Sequence, residues 1–265
     1  MFQVGQEVLV PAASIGSAGD GPALLERLVL DTSGRSIFVD GIDNTVKRVP
    51  SKFVHREFGL ALIRVGDFRS ESTLLDPLVD SLGAYFNLLL PLERHWIWKI
   101  RTLDELEEQW ETNHSLLTHV VLIGHGSSKA FDFVGGAMTG DELGAALTAL
   151  APATPPKDFI SIACETGRSP FAKHFSQTPI CQSILGAFQE IHGAVALQFV
   201  ETYFSSLLLI GSSSRVALRR AQEGLPSGTH FAEWRDGRKT AYYGSAARRA
   251  KADVEGQVAE DDVPG

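Results

Sequence analysis

The chain of 265 residues is long enough for one large or two smaller domains with a substantial core. Hydrophobic residues make up 44% and charged residues 21%, the balance of a globular protein. The formal net charge of -8 argues against a nucleic-acid partner, which calls for a basic excess, and no apolar run approaches the roughly 18 residues of a membrane span.

Met1 to Glu7 lacks the basic and apolar regions of a signal peptide. Residues 1–56 read as a small all-β unit. Val4 to Val10 alternates, Leu24 to Leu30 is a second apolar segment, and Asp31-Thr32-Ser33-Gly34 is a turn before Ser36 to Asp40. Thr45 to Val49 alternates again. Short strands at close spacing, joined by Gly and Asp turns, predict a small barrel. The layout resembles the small Src-homology-type barrels that serve as docking or regulatory modules.

From Phe58 the pattern becomes alternating strands and helices. Leu60 to Val65 reads as a strand, Ser72 to Leu90 as a helix and His95 to Ile100 as a strand. Thr102 opens a helix to about His114, as an N-cap followed by the acidic first turn of Asp104 and Glu105. A strand then runs to His125. After a Gly-rich turn, a helix spans Thr139 or Gly140 to Leu150, and Pro152, Pro155 and Pro156 end it. The next strand runs to Cys164. The loop from Glu165 to Pro179 has the length and Gly/Pro content of a mobile active-site segment. Beyond it we expect a helix over Gln182 to His192 and a buried strand over Gly193 to Val200. Helices over Thr202 to Ile210 and Ser213 to Glu223 and an edge strand over Thr240 to Tyr243 should follow. From 245 to 265 the chain is small, charged and finally acidic, and reads as a flexible tail. Strands alternating with helices give an α/β fold: a mostly parallel sheet with helices on both faces, over residues 58–244.

Two short signals stand out. Val120 to Ile123 leads into Gly124-His125-Gly126, and Phe159 to Ala163 leads into Cys164-Glu165-Thr166-Gly167. Apolar runs this short, rich in Val and Ile and bounded by Gly, are buried parallel strands. Such strands carry functional groups at their carboxyl ends. Neighbouring strands would bring out a thiol and an imidazole side by side, as nucleophilic catalysis needs. Cys164 and Cys181 have neither a disulfide framework nor metal-knuckle spacing, so no metal and no cofactor is expected. A reducing cytoplasm would keep the thiol usable. Cys181, before an apolar run, reads as structural.

Ile123-Gly124-His125-Gly126 and Ser161-Ile162-Ala163-Cys164-Glu165-Thr166-Gly167 resemble the His-Gly and Ala-Cys motifs of the caspase-like cysteine proteases. More narrowly they resemble the bacterial CHAT branch, related to caspases and separase. Gly193-Ala194-Val195 and the stretch Gly211 to Gln222 extend the resemblance. It implies a caspase-like fold and a dyad of Cys164 as nucleophile and His125 as general base. The backbone N–H groups of Gly126 and Cys164 would form the oxyanion hole. The resemblance does not require an acidic third member. It implies a specificity pocket at the ends of the first strand, the cysteine strand and the strand after it. Asp67 and Glu201 are candidates there for accepting a basic side chain. Ile162 stands where arginine-specific metacaspases have Asp, so an apolar preference is equally open. Glu165 adjoins the nucleophile and either shapes the site or helps the turn.

The function implied is a cysteine endopeptidase acting on a protein substrate. Bacterial relatives act as regulated effectors in anti-phage defence or cell death, so an activating or sensor protein is expected as a partner. The alternative is a catalytically silent scaffold that binds a partner. An α/β-hydrolase-type esterase has little support, because no Gly-x-Ser-x-Gly elbow occurs.

Overall fold

The computed structural model describes residues 2–17, 21–69 and 71–242. The expected tail over 245–265 lies outside the described residues. The N-terminal segment forms a five-stranded antiparallel sheet of β1 (Glu7–Pro11), β2 (Leu24–Ser33), β3 (Ser36–Asp40), β4 (Val46–Pro50) and β5 (His55–Arg56). Its order is β4-β3-β2-β1-β5, and a register shift between Val29 and Asp31 bends the long β2. Val8, Val10, Val29, Ile37, Val39 and Val49 fill its own core.

The remainder is a mixed α/β unit. In chain order it comprises β6 (Leu60–Val65), α1 (Leu75–Leu89), β7 (His95–Ile100), α2 (Leu103–Asn113) and β8 (His119–Ile123). There follow the hairpin β9 (Ala130–Phe133) and β10 (Gly136–Thr139), then α3 (Gly140–Ala149), β11 (Lys157–Ser161) and α4 (Phe171–Phe175). The last elements are β12 (Cys181–Ala187), α5 (Gly193–Phe204), α6 (Ser214–Glu223), β13 (Phe231–Arg235) and β14 (Arg238–Tyr242). Seven strands form one sheet in the order β14-β13-β12-β11-β8-β6-β7. β7, β6, β8, β11 and β12 run parallel, and β13 and β14 add an antiparallel edge.

Both faces of this sheet are covered. Leu62, Val121, Ile123, Ile160 and Leu185 pack under α1, α5 and α6. The alternate residues Ile63, Val120, Leu122, Phe159 and Ile184 pack under α2, α3 and α4. A strand buried on both faces has no polar side, which explains its uninterrupted apolar sequence. Local chemistry sets the helix starts: the Thr102 side chain accepts from the Glu105 N–H, and Thr139 forms a reciprocal capping box with Glu142.

Two expectations are corrected. Cys181–Ala187 is a strand where a helix was expected, and Gly193–Phe204 is a helix where a strand was expected. Periodicity cannot distinguish a short apolar run such as Ile184-Leu185-Gly186-Ala187. In the second segment the buried residues Ala196, Phe199, Val200, Tyr203 and Phe204 recur at helical spacing, and the His192 side chain accepts from the Ala194 N–H at the helix start. The expected helix over Thr202 to Ile210 is the end of α5 plus a π turn at Ser205–Leu209.

Candidate active site

The chain reverses direction across the sheet at β6, which has β7 on one side and β8 on the other. The connection after β6 leads to α1 on one face, and that after β8 leads to α3 on the opposite face. Such a switch point opens a crevice beyond the carboxyl ends of the strands, the usual ligand site of α/β sheets. His125 lies in the connection after β8, and Cys164 in the connection after β11. Ser161 is paired with Leu122, and His125 and Cys164 each follow that matched pair by three residues. The parallel register therefore brings them to the same level. Both line one narrow cleft of about 80 Å³, together with residues of α1 and α5.

The connection after β6 supplies a third group. The Glu71 carboxylate accepts from His125 Nε2 at 3.0 Å. An ionised carboxylate only accepts, so Nε2 carries the proton and Nδ1 has its lone pair for a thiol proton. The Glu71 side chain is 17% exposed and that of His125 47% exposed. Glu71 is held by its turn. Its N–H donates to the Asp67 carbonyl, and its own carbonyl receives the N–H groups of Leu74 and Leu75. Beneath lies Arg64, fully buried on β6. Its guanidinium donates to the carbonyls of Gly66 and Asp67 and pairs with Asp76 Oδ1 at 3.0 Å. Gly66 at φ +149 adopts backbone that side chains disfavour, and a Cβ there would stand 2.9 Å from Glu71 Cγ. Nothing in the sequence pattern separates Glu71 from neighbouring surface polar residues; only the fold brings it to His125.

The cysteine loop is pinned from below. Thr166 is fully buried, with Oγ1 donating to the Ala163 carbonyl at 2.8 Å and lying 2.7 Å from Ser161 Oγ. Gly126 packs against this loop so closely that a Cβ would meet Thr166 Cγ2 at 2.8 Å and Ala163 Cβ at 3.3 Å. Glu165 sits at φ +59, a strained position for a residue with a side chain. Its N–H donates to the Gln189 carbonyl, and its carboxylate pairs with Arg168 at 2.8 Å. Arg168 in turn donates to the Phe188 carbonyl. The segment Glu165 to Pro179, expected as a mobile loop, contains α4 and is tied by these bonds to Phe188 and Gln189 just beyond β12, and to β12 itself by Gly167 N–H to Ala187 O.

The remaining predicted residues are placed unevenly. Ile162 lines the cleft beside Cys164. Asp67 turns its Oδ1 to the Arg69 N–H, capping the turn that carries Glu71. Glu201 lies on α5 eight residues beyond Gly193, the cleft residue that opens the helix, which is about 12 Å along the axis. The strand after β11 is β12, so the position at which Glu201 was expected belongs to Phe188 and Gln189. Cys181 is buried, and burial raises its thiol well above the ordinary range, whereas Cys164 is half-buried. Among the described residues no group of three or more His, Cys, Asp or Glu is arranged to hold a metal ion, and no helix is long and apolar enough to cross a membrane.

No family model matches the chain, and no curated protein matches it. Among solved structures, a secreted C11 cysteine protease from Bacteroides thetaiotaomicron, bound to an irreversible peptide inhibitor, is similar at TM-score 0.48 and 12% identity, covering 68% of this chain and 67% of that one. Caspase-1 from Spodoptera frugiperda is similar at TM-score 0.41 and 14% identity over 63% of this chain and 77% of its own. A pro-Sf-caspase-1 structure is similar at 0.38 and 16% over 64% and 81%. These are distant likenesses of fold, so the chemistry rests on this chain's own residues.

Proposed function

We propose that the chain is a caspase-like cysteine endopeptidase with Cys164 as nucleophile and His125 as general base. The observation that carries this reading is the shared cleft, with His125 held from behind by Glu71 at 3.0 Å. His125 Nδ1 takes the thiol proton, and the sulfur attacks the scissile carbonyl carbon. The resulting oxyanion is met by the N–H groups of Gly126 and Cys164. The imidazolium returns its proton to the departing amine, leaving a thioester. Water, deprotonated by His125, attacks the thioester and releases the acid and the free thiol. Glu71 fixes the tautomer and supports the transient imidazolium charge, the part an aspartate plays in serine proteases.

By resemblance to the CHAT branch, this is a regulated effector in bacterial anti-phage defence or cell death. It would work in the reducing cytoplasm and be switched on by a partner protein. Low turnover in the absence of that partner follows. The test is cleavage of a peptide library by wild type, Cys164→Ala and His125→Ala, with thiol labelling of Cys164 in parallel. Both variants should lose on the order of a thousandfold or more in kcat/KM. Cleavage that survives Cys164→Ala overturns the assignment. No cleavage with an unreactive Cys164 points instead to a scaffold.

A further inference from the structure

Apart from Cys164, His125 and two glycines, the cleft is lined by hydrocarbon. Ile123 and Ile162, at the ends of β8 and β11, form its floor with the buried Leu75 and Ala196, and Leu78 and Ile191 form the walls. The two carboxylates beside the site are already engaged, Glu71 by His125 and Glu165 by Arg168. A guanidinium or ammonium entering this cleft would lose its water with no opposite charge among the lining residues to replace it, and a carboxylate would meet only His125, already engaged by Glu71. The volume of about 80 Å³ is roughly half that of the apolar cavity of about 150 Å³ that admits a benzene ring.

We propose, resting on Cys164 and His125 as the catalytic pair, that this cleft receives the side chain of the residue whose carbonyl is attacked. It selects a small aliphatic group, the size of Ala or Val, over basic, acidic and aromatic ones. Leu78 and Gly193 set the selection. Leu78 forms one wall, and a Cβ at Gly193 would meet nothing nearer than Leu78 Cδ2 at 4.0 Å. A Cβ at Gly193 is therefore accommodated, and a side chain there starts from a position that lines the cleft.

The experiment uses the full chain and peptides that differ only at the residue before the scissile bond, with Cys164→Ala as control. Alongside, peptidyl chloromethyl ketones bearing Val, Arg or Asp next to the reactive group are scored by adducts on Cys164. Val and Ala peptides should be cleaved about 100-fold faster than Arg or Asp peptides. The Val ketone should label Cys164 ahead of the other two. Gly193→Val should raise the ratio of Ala to Val cleavage about tenfold. Leu78→Glu should move the preference toward Arg. Cys164-dependent cleavage after Arg or Asp overturns the pocket and leaves the endopeptidase standing. No cleavage, with Val-selective labelling of Cys164, keeps the pocket and is the low turnover expected before the partner acts; no cleavage with Cys164 unlabelled by all three ketones overturns the catalytic pair and the pocket with it. Labelling without preference, or a Leu78→Glu protein that is folded by circular dichroism and keeps the wild-type profile, overturns the pocket.

Discussion

His125 owes its usefulness to a residue 54 positions earlier in the chain. An imidazole alone at a strand end can present either nitrogen; the carboxylate of Glu71 on Nε2 removes that freedom. Glu71→Gln keeps the size of the side chain and a hydrogen-bonding oxygen but loses the charge that, in the proposed mechanism, supports the imidazolium. We expect kcat/KM to fall about 10- to 100-fold, less than when the base itself is lost, with thermal stability unchanged to within about 1 kcal/mol. Peptide cleavage and a melt on the same preparation check both. A loss of stability equal to the loss of rate would make Glu71 merely structural. At the same scale the sequence made legible the placement of His125, Gly126 and Cys164 just beyond the ends of β8 and β11, because short apolar runs that stop at turn residues announce strand ends. It was silent on Glu71, which depends on a turn fixed by the buried Arg64.

The strands and helices that the sequence made legible were those with an arbiter besides apolarity. Thr102 and Thr139 mark helix starts by capping, and β6, β7 and β8 are short runs bounded by turn residues. The exchange of helix and strand between 181 and 204 arose where the cap of α5 is His192, not one of the Ser, Thr, Asp or Asn residues that mark a helix start in a sequence. The hairpin of β13 and β14 was half recognised. Asp236-Gly237, both at positive φ, is the turn pair that favours a two-residue hairpin, and it lay unread between Trp234 and Arg238. Within β11, Lys157 is a liability for the strand it opens. It is almost fully buried, donates to the Leu117 carbonyl at 2.7 Å, and burial lowers its pKa to about 8. The unfolded chain therefore binds a proton more tightly than the folded one, and stability rises as pH climbs from about 8 toward 10.5. Replacing the charge should help below that window: Lys157→Met should be about 1–2 kcal/mol more stable than wild type at pH 7, net of the lost hydrogen bond. The advantage should vanish by pH 10.5, as urea unfolding at the two pH values would reveal.

Across the whole molecule, the N-terminal sheet is more than an attachment. Leu9 and Leu24 lie in the same apolar cluster as Leu60, Phe86 and Leu90. The Ala23 N–H donates to the Leu88 carbonyl near the end of α1, and Arg94 pairs with Glu26. Removing residues 1–56 would uncover that cluster. With about 1.5–3 kcal/mol for each buried leucine, Tm should fall by roughly 10 °C or more, or the product should aggregate. An unchanged Tm would mean that the sheet contributes nothing to the core. These contacts are made at the end of α1 remote from the cleft, whereas Leu74, Leu75 and Leu78 at its start belong to the cleft. The cleft also divides its labour. His125 and Cys164 hang from the sheet, while the walls at Leu78, Ile191 and Gly193 come from the leading end of α1 and from the start of α5 with the segment just before it. For evolution, or for a laboratory library, this separation is an opportunity. Diversifying those wall positions would reshape what the cleft admits while the arrangement of His125 and Cys164 is inherited intact.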